Sequence, residues 1–293
     1  MLARIMRLLI VNPYASGVTE ERVQRVRATL GEVELEQTTH PGHATELAQA
    51  TGDAEAVYVF SGDGTFNEVL NGIGADTPVG FIPGGGANVL PRALGLPRDP
   101  VEAAERVAAS KTLRISVGRV NGRRFGFAAG VGLDAEAVRR LDTYGRTQEH
   151  GRAGNLRFAW EVARMITEHR GRFEPALEIL GRGRAAFALI ANCDPYTYAG
   201  AVPLRVAPEA RFELGLDLVA PHVVSPASIP RLLAYALRGR GQATAGDVLY
   251  AHDLDRIEIV CDRPMPLQAD GEDLGDVTSA VFEAERGAVR VLV

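Results

Sequence analysis

The chain has 293 residues, of which 46% are hydrophobic and 24% charged, as in soluble globular proteins. Its formal net charge of −5 argues against nucleic-acid binding, which requires a basic excess. Lys111 is the single lysine among 32 basic residues, which excludes a Walker-type phosphate loop and a protein kinase. No apolar run reaches the roughly 20 residues of a membrane span. Cys193 and Cys261 stand apart, which predicts buried, unpaired thiols in a reducing cytoplasm.

Short β-forming runs alternate with helix-like segments through the first third of the chain. The runs cover residues 7–12, 33–38, 56–61 and 78–83. The helix-like segments cover about 19–30, 43–51, 65–73, 87–94 and 99–110, the last with Asp99 as its N-cap. This alternation predicts a Rossmann-like α/β domain, whose parallel sheet is covered by helices on both faces.

The pattern changes after Lys111. Two strands joined by Asn121-Gly122 predict a β-hairpin, and β-forming runs dominate from about residue 174. Two helical stretches, 133–169 and 225–239, interrupt them. We therefore predict a nucleotide-binding α/β domain over 1–115 and a β-sandwich domain over 116–283. Residues 284–293 are a candidate segment for packing back on the first domain.

Three glycine-containing turns follow strands of the first domain. They read NPYASG (12–17), SGDGT (61–65) and PGGGAN (83–88). Ligands bind at the carboxyl ends of parallel strands, and glycines let backbone N–H groups approach a phosphate. Asp63 would repel a phosphate unless Mg²⁺ bridges the two. A single glycine cluster of this kind is more often only a tight turn. Three of them at one edge of one sheet favour a nucleotide phosphate site.

In this order and spacing, the three turns resemble the diacylglycerol kinase catalytic-domain family, which includes bacterial lipid kinases and sphingosine kinases. TTHPGHATELA (38–48), FAAGVGLDAEAV (127–138), residues 191–219 and LQADGE (267–272) extend the resemblance over nearly the whole chain. It implies transfer of the ATP γ-phosphoryl group, with Mg²⁺, to the hydroxyl of diacylglycerol or a related lipid alcohol. It also implies that the lipid is bound by the second domain.

The resemblance also implies the site residues. Those expected at the nucleotide are Asn12, Thr38, Ser61, Gly62, Asp63, Gly64, Thr65, Asn67, Glu68, Gly84, Gly85, Gly86 and Asn88. Asp63 would also hold the catalytic Mg²⁺, and Glu272, with Asp270 beside it, would activate the lipid hydroxyl as the catalytic pair. The tripeptide Asp270-Gly271-Glu272 alone is more typical of a surface hairpin turn.

Three positions depart from the family pattern. Gly86 and Val89 stand where the family usually has threonine and aspartate. Leu214 stands where bacterial members often have an aspartate that binds a structural Mg²⁺. Loss of that carboxylate removes a ligand that Mg²⁺ needs.

Two other functions stay open. One is another kinase that shares a GDGT turn, such as an NAD kinase or a phosphofructokinase. The other is a catalytically silent nucleotide- or lipid-binding protein, which is suggested by the departures from the family pattern at Gly86 and Leu214. The expected location is the cytoplasm, with transient association with a membrane surface. The arginine-rich residues 139–172 could contact that surface, or they could form only a solvated helix face. An exposed strand edge leaves a homodimer open.

Overall fold

The computed structural model describes residues 7–52, 54–143 and 155–293. Within them, residues 7–115 and 287–293 form one compact unit, and residues 116–143 and 155–286 form another. Residues 144–154 of the arginine-rich stretch lie outside the described residues. Of the helices in the described ranges, none is long and apolar enough to cross a bilayer. Cys193 and Cys261 are free and buried, as predicted.

The first unit contains a parallel sheet in the order β4-β3-β1-β2. Its strands are β1 (Arg7–Val11), β2 (Glu34–Gln37), β3 (Ala56–Ser61) and β4 (Val79–Pro83). All residues of β3 and β4 are buried, which fits strands covered on both faces. At the far end of the chain, Val291 pairs in parallel with Val79 and extends this sheet.

Among the described residues, five helices belong to this unit. They are α1 (Glu20–Leu30), α2 (His43–Ala50), α3 (Asp63–Gly72), α4 (Val89–Ala93) and α5 (Pro100–Ala109). The Asp99 side chain accepts hydrogen bonds from the first-turn N–H groups of α5, as predicted for an N-cap. The start of α3 differs from the prediction, because the helix begins at Asp63, two residues early. Residues 63–65 are therefore its first turn, and Gly62 is its N-cap.

The second unit is built on an antiparallel sheet in the order β14-β13-β10-β7-β15-β16. The hairpin β8-β9 pairs with β15, and β5 pairs with both β6 and β16. The strands introduced from residue 112 onward are β5 (Thr112–Val120), β6 (Arg123–Phe125), β7 (Ala128–Val131), β8 (Leu177–Ile179), β9 (Gly183–Ala185), β10 (Ala188–Ala191), β11 (Thr197–Ala199), β12 (Val202–Leu204), β13 (Leu216–Pro221), β14 (Val248–Leu254), β15 (Arg256–Ala269) and β16 (Glu272–Leu292). The predicted combination of a parallel α/β sheet and a sandwich-like β unit is confirmed.

The helices of the second unit are α6 (Leu133–Thr143), α7 (Asn155–Glu168) and α8 (Ile229–Arg238). The hairpin at Asn121-Gly122 is confirmed, with φ of 47° and 90° at its two central residues. Two features differ from the prediction. Residues 272–292 form one long strand that Gly287, with a φ of 58°, does not interrupt, so most of the candidate segment 284–293 is part of β16 rather than a separate element. The β11-β12 hairpin was not predicted.

Candidate active site

Three glycine-containing loops lie at the carboxyl ends of β1, β3 and β4, at one edge of the parallel sheet. β1 ends at Val11 before the NPYASG loop, β3 ends at Ser61 before Gly62, and β4 ends at Pro83 before residues 84–88. Each loop leads into a helix, so free N–H groups of helix N-termini are available at this edge. Such groups, together with the positive end of the helix dipole, bind anions.

These loops contact one another through their backbones. The Gly17 N–H donates to the Gly84 carbonyl at 2.8 Å, and the Gly84 N–H donates to the Ser61 carbonyl at 2.6 Å. A Cβ atom on Gly85 would lie 2.6 Å from the Cα of Gly62, closer than two carbon atoms can approach. Glycine is therefore required here by the neighbouring loop, independently of any ligand.

Gly85→Ala tests this packing without a nucleotide. We expect it to lower the free energy of unfolding by about 1–3 kcal/mol, because the backbone of the neighbouring loop has to move. Gly86→Ala is the matched control, since its Cβ would have no atom within 4 Å. We expect the control to change stability by less than about 1 kcal/mol. Urea denaturation of both variants measures the difference, and equal stabilities would contradict the described packing.

The Thr65 hydroxyl oxygen joins two of the loops through side chains. It accepts a hydrogen bond from Asn12 Nδ2 at 3.0 Å and one from Ser61 Oγ at 2.8 Å. Ser61 and Thr65 are buried, whereas Gly64, the residue before Thr65, is half-buried. The structure thus brings three of the predicted nucleotide residues, Asn12, Ser61 and Thr65, into direct contact. Their direct contact with a nucleotide stays a prediction.

Asp63 is the first residue of α3 and is only 5% exposed. Its Oδ1 accepts a hydrogen bond from the Leu90 N–H at 3.3 Å, near the start of α4. The carboxylate therefore lies at the N-terminal ends of two helices, where a negative charge is stabilised. Across the described residues, groups of three or more candidate metal ligands are confined to His40, His43 and Glu46. A Mg²⁺ ion at Asp63 would fit only if phosphate oxygens and water completed its coordination, as is usual for Mg²⁺ with ATP.

The loop after β4 is closed by the side chain of Asn88. Its Oδ1 accepts from the Gly85 N–H at 2.8 Å, and its Nδ2 donates to the Gly85 carbonyl at 2.7 Å. Asn88 has a φ of 49°, in the left-handed region that asparagine tolerates. Gly86 has open space where a side chain would project. The contacts of Asn88 therefore fix the loop conformation around Gly86.

The remaining predicted nucleotide residues occupy different surroundings. Thr38 is buried after β2, and its N–H donates to the Val11 carbonyl at 2.9 Å beside the NPYASG loop. Asn67 is fully buried in α3. The Glu68 carboxylate accepts from the Ala44 N–H at 3.1 Å in the first turn of α2. For Glu68 these contacts support a helix-capping role, and its nucleotide contact remains a prediction.

Asp270 and Gly271 form the turn between β15 and β16, with φ of 49° and 72°, and Glu272 is the first residue of β16. The turn is a hairpin turn, but Asp270 is only 2% exposed. The Asp270 carboxylate accepts from three consecutive backbone N–H groups, those of residues 126, 127 and 128, at 2.6, 2.9 and 3.2 Å. Asp270 therefore anchors the turn to the segment that leads into β7.

Glu272 is half-buried beside this anchor. Its Oε2 accepts from the guanidinium of Arg123, at the start of β6, at 2.5 Å. Sequence reasoning did not find Arg123, because 149 positions separate the two residues and an arginine next to a hairpin glycine carries no signal of its own. The ion pair gives the Glu272 carboxylate a fixed partner in the second unit.

A buried hydrogen-bond network supports the same turn from the other side. The Gly271 N–H donates to Gln268 Oε1 at 2.9 Å. Gln268 Nε2 donates to Asp134 Oδ2 at 2.8 Å, and the Tyr196 hydroxyl donates to the same oxygen at 2.6 Å. Burial raises the pKa of Asp134, and the hydrogen bonds from Tyr196 and Gln268 only partly oppose this. Burial and the neighbouring Asp134 raise the pKa of Tyr196, so its hydroxyl stays a donor.

Asp134→Asn is expected to change the pH dependence of stability. The pKa of Asp134 in the folded state is raised above its ordinary 3.8. The stabilisation that results from this shift is therefore complete below that pH and is lost as the pH rises through the folded-state pKa. The variant has no such loss. Its stability relative to the original chain should therefore increase with pH from about 4 upward, as measured by urea denaturation at several pH values. Parallel stability curves would show that Asp134 titrates normally.

The residues next to Leu214 do not fit a structural Mg²⁺ ion. The Gly215 N–H donates to the Asp253 carboxylate at 2.7 Å, and that carboxylate pairs with the Arg286 guanidinium at 2.8 Å. Arg286 also pairs with Asp255 at 2.7 Å. The Arg286 guanidinium thus lies next to this position and would repel a Mg²⁺ ion there. Position 214 also lacks the carboxylate that would bind such an ion.

Solved structures share this combination of an α/β unit and a sandwich-like unit. A structure titled as a diacylglycerol kinase from Bacillus anthracis str. Sterne superposes with a TM-score of 0.72 at 21% identity, over 98% of this chain and 96% of that one. An NAD kinase from Archaeoglobus fulgidus in complex with ATP gives a TM-score of 0.52 at 14% identity, over 98% and 94%. At these identities the likeness establishes the fold alone, which is that of the diacylglycerol kinases and, more distantly, the NAD kinases.

Family comparisons are more specific. Residues 6–120 match the diacylglycerol kinase catalytic domain, and residues 128–293 match the YegS C-terminal NAD kinase beta sandwich-like domain. The chain therefore belongs to the diacylglycerol kinase catalytic-domain family with a YegS-type C-terminal domain, as the resemblance predicted.

Two curated relatives bear kinase names. A protein of Streptococcus pneumoniae serotype 4 named "Putative lipid kinase" is 28% identical over 48% of this chain and 51% of its own length. The diacylglycerol kinase of Bacillus subtilis is 28% identical over 82% of this chain and 79% of its own length. The match thus spans about half of the first relative and most of the second.

Proposed function

We propose that the chain is an ATP-dependent lipid kinase that transfers the γ-phosphoryl group to the hydroxyl of diacylglycerol or a related lipid alcohol. The observation that favours a lipid acceptor is a cavity of about 570 Å³ within the sandwich unit. Its apolar lining includes Leu133, Met165, Phe173, Phe187 and Met265. Such a cavity suits an acyl chain, whereas a dinucleotide acceptor would need mainly polar groups.

Polar side chains also line this cavity. Those that could meet a lipid headgroup are Glu136, Arg140, His169, Arg172 and Arg263. Arg140 is held by Glu136 at 2.9 Å and by Glu168 at 2.7 Å, so its charge is already paired. The combination of an apolar interior and charged residues matches an amphipathic ligand rather than a purely hydrophobic one.

In this proposal, the three glycine loops of the first unit hold the ATP phosphates through backbone N–H groups. Lys111, the single lysine of the chain, lies just before β5, so none of the three glycine loops contains a lysine that could neutralise the phosphates. Mg²⁺ would supply that neutralisation, held by Asp63, phosphate oxygens and water. Asp63 itself stays oriented by the Leu90 N–H.

The carboxylate of Glu272 would accept the proton of the attacking lipid hydroxyl. Asp270 is less suited to that step, because its oxygens already accept three backbone hydrogen bonds. We therefore assign Asp270 to positioning the turn and Glu272 to proton transfer. The Arg123 guanidinium orients the Glu272 carboxylate from one side.

Incubation with ATP labelled at the γ-phosphate, Mg²⁺ and a panel of acceptors tests the function. The panel contains diacylglycerol, monoacylglycerol, phosphatidylglycerol, sphingosine and ceramide in mixed micelles, and NAD in solution. Label in any lipid supports the proposal and identifies the acceptor. Label only in NAD would establish the alternative kinase, and ATP binding without transfer to any acceptor would establish a silent binding protein.

A further inference from the structure

Exposed apolar side chains concentrate on three neighbouring elements of the sandwich unit. Trp160 on α7 is 55% exposed, Val202 on β12 is 47% exposed, and Leu233 and Leu237 on α8 are 53% and 54% exposed. These elements are contiguous, because α7 packs against β11, β11 pairs with β12, and β12 packs against α8. Exposed apolar side chains on adjoining elements, unlike singly scattered ones, favour an interaction surface. We call these four residues the apolar apron.

The apolar residues of α8 extend beyond the stripe that packs on the sandwich. Ile229 and Leu232 pack on a cluster that contains Phe187. Leu233 and Leu237 lie one turn apart and outside that cluster. A helix that only covered the sandwich would carry polar residues at these two positions. The additional apolar surface therefore has no partner among the described residues.

The charges around α8 identify the partner. Residues 229–240 contain three arginines and no acidic residue, whereas the whole chain has a net charge of −5. Arg231 pairs with Asp247, but Arg238 and Arg240 are exposed and form no ion pair within the described parts of the chain. On α7, the Arg164 guanidinium lies over the Trp160 ring at 5.6 Å. Leucine and tryptophan bordered by arginine are typical of surfaces that lie in the lipid–water interface.

We propose that the apolar apron docks on an anionic lipid bilayer, with its apolar side chains among the headgroups and with Arg238 and Arg240 at lipid phosphates. The inference rests on the proposed lipid kinase function, since it assigns the surface through which the enzyme reaches a lipid held in a bilayer. A second copy of the chain fits less well, because residues 229–240 contain no acidic residue, so a contact between two copies of α8 would offer no carboxylate from that segment to Arg238 and Arg240.

Vesicle sedimentation without ATP tests the docking separately from catalysis. The original chain should bind vesicles of phosphatidylglycerol and phosphatidylcholine and bind pure phosphatidylcholine weakly. Leu233→Gln with Leu237→Gln should lower the affinity for the anionic vesicles about tenfold or more. Leu180→Gln is the matched control, because Leu180 is 45% exposed on the β8-β9 hairpin and should leave binding unchanged.

Arg238→Gln with Arg240→Gln provides a second test that does not rely on the leucines. This variant should bind less tightly at low salt and lose part of the salt dependence. The proposal is overturned if the original chain does not bind anionic vesicles, or if both double variants bind as tightly as it does. It is also overturned if the leucine variant only converts a dimer into a monomer in sedimentation analysis. Phosphorylation of a short-chain lipid in micelles reports separately on the kinase function, which the leucine variant should retain.

Discussion

Glu272→Gln is expected to lower kcat for lipid phosphorylation by about 10²–10⁴-fold, the usual contribution of a general base. The amide cannot accept the proton of the attacking hydroxyl, although it can still accept a hydrogen bond from Arg123. Folding should change by less than about 1 kcal/mol, because Glu272 is half-buried and its partner remains satisfied. The KM for ATP should change little, because the glycine loops would hold the nucleotide.

Glu283→Gln is the matched control for this prediction. It removes a charge from the same strand, β16, where Glu283 is paired with Arg256 and about half exposed. Its kcat should stay within about twofold of the original value, as expected for an exposed ion pair. If Glu272→Gln retained full activity in single-turnover measurements, another group would have to accept the proton.

Asp270→Ala should have the largest effect on stability, a loss of about 3–5 kcal/mol. It would leave three buried N–H groups without their acceptor, and each such group costs about 1–3 kcal/mol when unsatisfied. Alanine would also have to adopt the positive φ of 49° that aspartate tolerates better. We expect the activity of the remaining folded protein to fall as well, because Glu272 follows the displaced turn. Urea denaturation and kcat per folded molecule measure the two effects.

Asp276→Ala separates this effect from simple loss of charge. Asp276 lies farther along β16, is about half exposed and pairs with Arg139 at 2.6 Å. Its removal should cost less than about 1 kcal/mol. Asp270→Asn should lie between the two, because asparagine keeps one acceptor oxygen and tolerates the left-handed region. A loss below 1 kcal/mol in Asp270→Ala would show that the three hydrogen bonds do not hold the turn.

The first half of the site could be predicted because its signals are local. Each glycine turn directly follows a β-forming run, and parallel strands bring successive carboxyl ends to one edge. Local patterns also have limits. The SGDGT stretch looks like an open loop, but helix α3 already begins at Asp63. Glu68 follows the same motif, yet its carboxylate binds the start of α2.

The second half depends on strand register, which a sequence read alone does not contain. Asp270 meets N–H groups that lie 142 to 144 positions away, and Arg123 meets Glu272 across 149 positions. These pairs form because β7 pairs with β15, and because β5 pairs with both β16 and β6. Gln268 and Tyr196 lie within stretches that resemble the family, 267–272 and 191–219, but only the fold shows that both hydrogen-bond to Asp134.

The contact between Gly62 and Gly85 has a consequence for how this chain can diverge. The two positions are 23 residues apart, and a Cβ atom at 85 would lie 2.6 Å from the Cα of Gly62, whereas a Cβ atom at 62 would lie 3.2 Å from the Cα of Gly85. A side chain at either position therefore requires the other loop to shift, by more for position 85 than for position 62. The two loops should therefore evolve as a coupled pair, with strong epistasis between their substitutions. Gly86, which has open space around it, is free of this coupling and is the position at which the loop can vary alone.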